Sequence, residues 1–216
     1  VMSIKIGIMG FGSIGRKLYS ECLKRDGIEI SVICDIGNPE ILTNLIQREF
    51  ENTKEVSYTD NYFISGQSKV RFLNGVYPGE IPWDLFNLDF VIDATGKFRT
   101  HDHIQKHLSA GAKRVIISTL PIDGIDRVVV CGVNEDSIRF DDRAISAGSS
   151  TMNALALLLK PLIPFEISSI NMTTIHSYTS DQSLQDVVGS DFRRSRSASE
   201  NIIPNESDSE KWISKV

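Results

Sequence analysis

The chain of 216 residues is short of several features that would assign it elsewhere. Its three cysteines, Cys22, Cys34 and Cys131, form no CxxC pair, so the sequence offers neither a disulfide framework nor a zinc site. All three read as buried free thiols in apolar surroundings. No apolar run reaches the roughly 18 residues that a membrane span needs. The N-terminus lacks the charged, apolar and small-residue order of a secretory signal, so the expected location is the cytoplasm. Neither charge sign dominates: 23 basic residues face 28 acidic ones for a net charge of -5, a balance that argues against nucleic acid as the main partner. There is no internal repeat and no low-complexity tract.

What is present is an alternation of short apolar runs and helical periods. Residues 3–9 read as a buried strand, 10–15 as a glycine-rich turn, 14–24 as a helix and 28–34 as a second strand. Two parallel strands need such a helical crossover, and the unit has the expected length of about 30 residues. A helix over 39–46, strand-like runs between 56 and 73, a buried strand at 90–94, a helix at 101–110 and strands at 114–118 and 127–131 continue it. The predicted fold is α/β, a Rossmann doubly wound parallel sheet, followed by the start of an α+β catalytic domain. The boundary falls near residue 149: residues 1–149 read as the dinucleotide-binding domain and 150–216 as the N-terminal part of the catalytic domain. In the second part a helix is expected to about Lys160, where Pro161 stops it, and 167–175 alternates as a long strand.

Gly10-Phe11-Gly12-Ser13-Ile14-Gly15 is a GxGxxG placed after a strand and opening a helix. The first glycine permits the tight turn, the second lets backbone approach a pyrophosphate, and the third lets helix pack on strand. Asp35 closes the second strand about twenty residues further on, where a carboxylate accepts from ribose hydroxyls and repels a 2′-phosphate; this predicts NAD rather than NADP. Thr95 and Gly96 end another buried strand at the edge where such folds bind ligands, and are expected to line the same cleft.

Six segments in order resemble the phosphorylating glyceraldehyde-3-phosphate dehydrogenase family: residues 5–16, 93–98, 111–118, 132–134, 173–176 and 201–204. The resemblance implies oxidation of a phosphorylated aldehyde through a covalent acyl-enzyme, with NAD taking hydride and inorganic phosphate releasing the acyl group. Erythrose 4-phosphate is an alternative substrate, because Asp181-Gln182 and the Arg193-Arg194-Ser195-Arg196 run also resemble that branch. A non-catalytic NAD-binding homologue is the other alternative. The resemblance further implies a homotetramer, with Arg196 near a neighbouring subunit's cofactor, and a catalytic domain that continues past residue 216. Val188 stands where NADP-using relatives have a small hydroxyl residue.

Carried over residue by residue, the resemblance places Ser150 where the family has its nucleophilic cysteine and His176 at the general base. Ser118 joins the cofactor cleft. Ser149, Thr151, Thr179, Asp181 and Ser207 fall at the anion sites for substrate phosphate and inorganic phosphate. Read without the resemblance, Ser149 or Ser150 is an ordinary helix N-cap. His101, His103 and His107 share one helical segment and read as a solvated face. Met9, Ser13, Ala147 and Met152 depart from the family pattern, as do Ser207-Asp208 in place of a Thr-Gly pair. Asp208 and Glu206 beside an anion site are expected to oppose phosphate.

Overall fold

The computed structural model describes residues 3–75, 77–179, 182–189 and 191–216. Strand β1 (Ile4–Met9) leads through helix α1 (Ser13–Cys22) to β2 (Ile28–Asp35), and helix α2 (Pro39–Glu49) follows. Asn38 starts α2 by accepting the amide protons of Glu40 and Ile41, with Pro39 supplying a helical φ at the first position. The runs between 56 and 73 are an antiparallel meander of β3 (Ser57–Thr59), β4 (Tyr62–Ser65) and β5 (Ser68–Asn74). Then come β6 (Phe90–Asp93), α3 (His101–Ser109), β7 (Val115–Ile117), β8 (Arg127–Val128) and β9 (Ala144–Ser146). The sequence reading missed β9, whose three residues are too few for a period.

These strands form one sheet in the order β3-β4-β5-β2-β1-β6-β7-β9-β8, parallel except within the meander. The chain moves outward from β1 to β2, then returns to build β6 on the other side of β1. The C-terminal ends of β1 and β6 therefore meet at a topological switch point, where doubly wound sheets take ligands. One apolar cluster, with Ile8, Phe11, Tyr19, Ile33 and Phe63, covers one face of the sheet. A second, with Met9, Cys34, Trp83, Val91 and Ile104, covers the other. No helix among the described residues is long and apolar enough to cross a membrane.

Beyond the sheet, α4 (Ser150–Leu159) and α5 (Ser209–Ile213) pack on a third cluster of Leu120, Val128, Val130, Met152, Ala156 and Trp212. The expected strand over 167–175 does not form. The backbone there is exposed, with Ile175 97% accessible, and it carries no ladder among the described residues. Alternating β-branched residues make an extended chain favourable, but a strand also needs a neighbour to take its amide and carbonyl groups. The thiols also divide: Cys22 and Cys34 are buried and Cys131 is exposed, so the expectation that all three are buried fails at Cys131.

Candidate functional site

The turn between β1 and α1 is set by two of its three glycines, Gly10 and Gly15. Gly10 adopts φ +91°, and a Cβ there would lie 2.7 Å from the Thr95 amide nitrogen. A Cβ on Gly15 would lie 2.0 Å from the Gly10 carbonyl oxygen, so helix and strand can approach this closely only without a side chain. A Cβ on Gly12 meets nothing within 4 Å among the described residues. Gly12 is also the N-cap of α1, which has neither a side-chain cap nor an acidic residue in its first turn. Its leading N–H groups and the positive end of the helix dipole thus face open space beside exposed Ser13 and Ile14. That cradle fits a pyrophosphate.

Phe11 contributes through its backbone, since its ring is fully buried against Tyr19 and Phe63. Its amide donates to Asp35 Oδ2 at 2.6 Å, while Asp35 Oδ1 accepts from Gly37 N–H at 2.7 Å. Its carbonyl accepts from Arg16 Nη1 at 3.0 Å, and Arg16 is itself forked onto Glu49 at 2.6 and 2.7 Å. Each Asp35 oxygen has a second lone pair, so the half-buried carboxylate can hold the turn and still accept from a ribose hydroxyl.

Opposite, Asp93 Oδ1 accepts from Thr95 N–H at 2.8 Å and from Thr95 Oγ1 at 2.6 Å. Gly96 follows at φ +68°, and Ser118 N–H donates to the Asp93 carbonyl at 2.9 Å. Gly10, Thr95, Gly96 and Ser118 therefore converge on one crevice. The expected solvated histidine face is wrong at His107, which is fully buried with Nε2 3.1 Å from Asp93 Oδ2. His101 is exposed, and His103 packs on Tyr77 and Phe98. Spacing alone put three histidines on one helix without distinguishing the face of the third.

At the start of α4 the two serines separate. Ser149 is the cap, accepting from Met152 N–H at 3.1 Å, and its Oγ lies 3.3 Å from Ser209 Oγ. Ser150 is the first helical residue and is exposed. His176, from the extended segment, brings Nε2 to 3.1 Å from Thr151 Oγ1. An imidazole thus stands at the first turn of a helix whose N-terminus favours negative charge. Asn153 Nδ2 tightens the entry by donating to the carbonyls of Ala147 and Ser149, each at 2.9 Å.

Thr179 is exposed, its N–H donating to Gln182 Oε1 at 3.0 Å; Asp181 lies outside the described residues. Ser207 Oγ accepts from Ser209 N–H at 3.2 Å, which places it at the start of α5 beside Ser149. The Asp208 carboxylate is not a bare opposing charge. It receives Arg99 Nη2 at 2.9 Å and lies 3.7 Å from Lys211, and the Arg99 guanidinium holds its carboxyl below the usual range. Arg99, which also donates from Nε to the Leu120 carbonyl at 2.7 Å, was not recognised in the sequence. It is 109 residues from its partner, and no local pattern signals such a pair. Arg196 forms an exposed ion pair with Asp186 at 3.0 Å, and Val188 is fully exposed. Burial pushes the Cys34 thiol up to about 12, which removes it as a nucleophile.

Residues 4–101 match the family model described as "Glyceraldehyde 3-phosphate dehydrogenase, NAD binding domain". Residues 149–216 match "Glyceraldehyde 3-phosphate dehydrogenase, C-terminal domain". The chain is 38% identical over 218 residues to the glyceraldehyde-3-phosphate dehydrogenase of Mycoplasma pneumoniae, covering 99% of this chain and 65% of that protein. It is 38% identical to the enzyme of the same name from Thermotoga maritima, covering 98% and 65%. The chromosomal enzyme of Cupriavidus necator is 39% identical over 211 residues, covering 94% and 62%. The chain thus spans about 65% of the length of the first two of these relatives. The residues at the switch point fit the cofactor that the first of these domains binds, NAD.

Proposed function

The chain belongs to the glyceraldehyde-3-phosphate dehydrogenase family, and on that premise we propose that the whole protein carries the architecture for NAD-dependent oxidation of glyceraldehyde 3-phosphate to 1,3-bisphosphoglycerate, impaired by serine at position 150. The observation that carries the reading is His176 at 3.1 Å from Thr151, one residue past Ser150 at an open helix N-terminus. Bound NAD supplies the hydride acceptor.

The residues would act as follows. Residue 150 adds to the aldehyde carbon, His176 accepts the proton that leaves its side chain, and the leading N–H groups of α4 stabilise the negative charge that develops on the carbonyl oxygen. By the family resemblance Ser149, Thr151 and Ser207 would hold the attacking phosphate, Ser149 and Ser207 being drawn together through Ser209, and Thr179 and Asp181 would serve the substrate's phosphate, with Thr179 as the donor. The weak step is the first. An imidazole with an ordinary pKa near 6.5 can deprotonate a thiol of about 8.5, but a serine hydroxyl remains protonated beside it. Serine hydrolases add a carboxylate behind the histidine, whereas the partner described for His176 is a threonine hydroxyl.

The reading includes a cytoplasmic homo-oligomer, supported by the family resemblance. Its test is NADH formation from glyceraldehyde 3-phosphate, NAD and phosphate by the full encoded protein and by Ser150→Cys. Activity confined to the cysteine variant supports it; equal activity of both overturns the impairment, and no activity of either favours a protein that binds NAD without aldehyde chemistry.

A further inference from the structure

Asp93 and His107 form a buried pair that the chemistry at Ser150 does not use. Asp93 is 2% accessible and His107 is 0% accessible, and they come from different elements, the end of β6 and the last turn of α3. Every described contact of the Asp93 side chain has a purpose in the cleft. Oδ1 accepts both the amide and the hydroxyl of Thr95, at 2.8 and 2.6 Å, and Oδ2 faces His107 Nε2 at 3.1 Å. The Thr95 hydroxyl in turn accepts from Lys97 N–H at 3.1 Å, fixing the backbone through Gly96. Thr95 is also the wall against which Gly10 turns, since its amide nitrogen would stand 2.7 Å from a Cβ on that glycine.

We propose that His107 is a positioning residue for the dinucleotide cleft: it fixes the rotamer of Asp93, and Asp93 holds the Thr95–Gly96 backbone against the glycine turn. The acceptor at Oδ2 assigns the imidazole proton to Nε2. Nδ1 has no hydrogen-bond partner among the described residues, and the imidazole packs against the buried Trp83 ring, 5.8 Å between centroids. A histidine serving packing alone has no need of a buried carboxylate, and a buried polar atom left without a partner costs stability. The orientation is therefore kept for what Nε2 does. The mechanism needs one N–H donor at that point and no charge transfer. The inference rests on reading this crevice as the NAD site.

The experiment compares His107→Leu, which removes the donor, with His107→Gln, whose side-chain amide can donate to the same oxygen. Amide hydrogen exchange at Thr95 is followed in the unliganded protein, and NAD affinity is measured by calorimetry. The expected result is Thr95 exchange accelerated at least tenfold and NAD affinity reduced about tenfold in the leucine variant, with both largely restored by glutamine. If the leucine variant does not fold, Thr95→Val, which deletes the hydroxyl donor to Asp93 at constant shape, is expected to lower NAD affinity several-fold. Thr95 exchange unchanged in His107→Leu, or glutamine no better than leucine at equal thermal stability, overturns the proposal. Because exchange is read without ligand, a parent protein that does not bind NAD sinks the cofactor reading and leaves this result to be judged on exchange.

Discussion

The carboxylate of Asp35 grips the amide of Phe11 at 2.6 Å, so the end of the second strand holds the glycine turn from the side on which the adenosine ribose would lie. We propose that this one group has two tasks, shaping the turn and selecting the cofactor. Asp35→Ala removes both. We expect NAD affinity to fall about tenfold and the preference for NAD over NADP to narrow, alongside a stability loss of about 1–3 kcal/mol from the unpartnered Phe11 amide. Calorimetric titration with each cofactor checks this. An unchanged NAD-to-NADP ratio would remove Asp35 from the selection.

The glycines separate stability from binding. Gly15→Ala forces a methyl to 2.0 Å from the Gly10 carbonyl and should lower the melting temperature severely. Gly12 has φ -68° and open space where its Cβ would point, so Gly12→Ala should melt within a few degrees of the parent yet bind NAD at least tenfold more weakly. Thermal melts and NAD titrations on the two variants decide it. Undiminished binding by Gly12→Ala would mean that the pyrophosphate lies elsewhere.

Asp142 gives a pH prediction. It is buried, takes Arg127 in a fork at 2.6 and 3.1 Å and accepts Arg139 N–H, and the Arg127 guanidinium holds its carboxyl below the ordinary value of 3.8. A depressed carboxyl contributes stability that is fully present above the unfolded pKa and is lost as pH falls through the folded pKa. The melting gap between the parent and Asp142→Asn should thus be several degrees at neutral pH and close only below 3.8. A gap that does not change on acidification contradicts the pairing.

Much of this was legible in the sequence, for identifiable reasons. The β1-α1-β2 unit announced itself because buried parallel strands are continuous apolar runs and the turn between them needs glycine at fixed spacings. The place of Asp35 at the end of the second strand was legible because its distance from the glycines is set by one helix and one strand. The missed features depend on contacts remote in sequence. The burial of His107 depends on Asp93 and Trp83, and the Arg99–Asp208 bridge joins residues over a hundred positions apart. The failed strand at 167–175 shows the limit of alternation, which reports a chain's suitability for a sheet and not the presence of a neighbour.

The reactivity of position 150 itself tests the account most directly. In Ser150→Cys, alkylation by iodoacetamide at neutral pH can be followed by mass spectrometry at residue 150 and, in the same molecule, at the exposed Cys131. A helix N-terminus and a nearby imidazole lower a thiol's pKa from about 8.5 to roughly 3.5–7.5. Residue 150 should therefore react on the order of ten times faster than Cys131, and His176→Asn should remove most of that advantage. Equal rates at the two thiols, indifferent to His176, would contradict the claim that α4 and His176 form a reactive site silenced by serine.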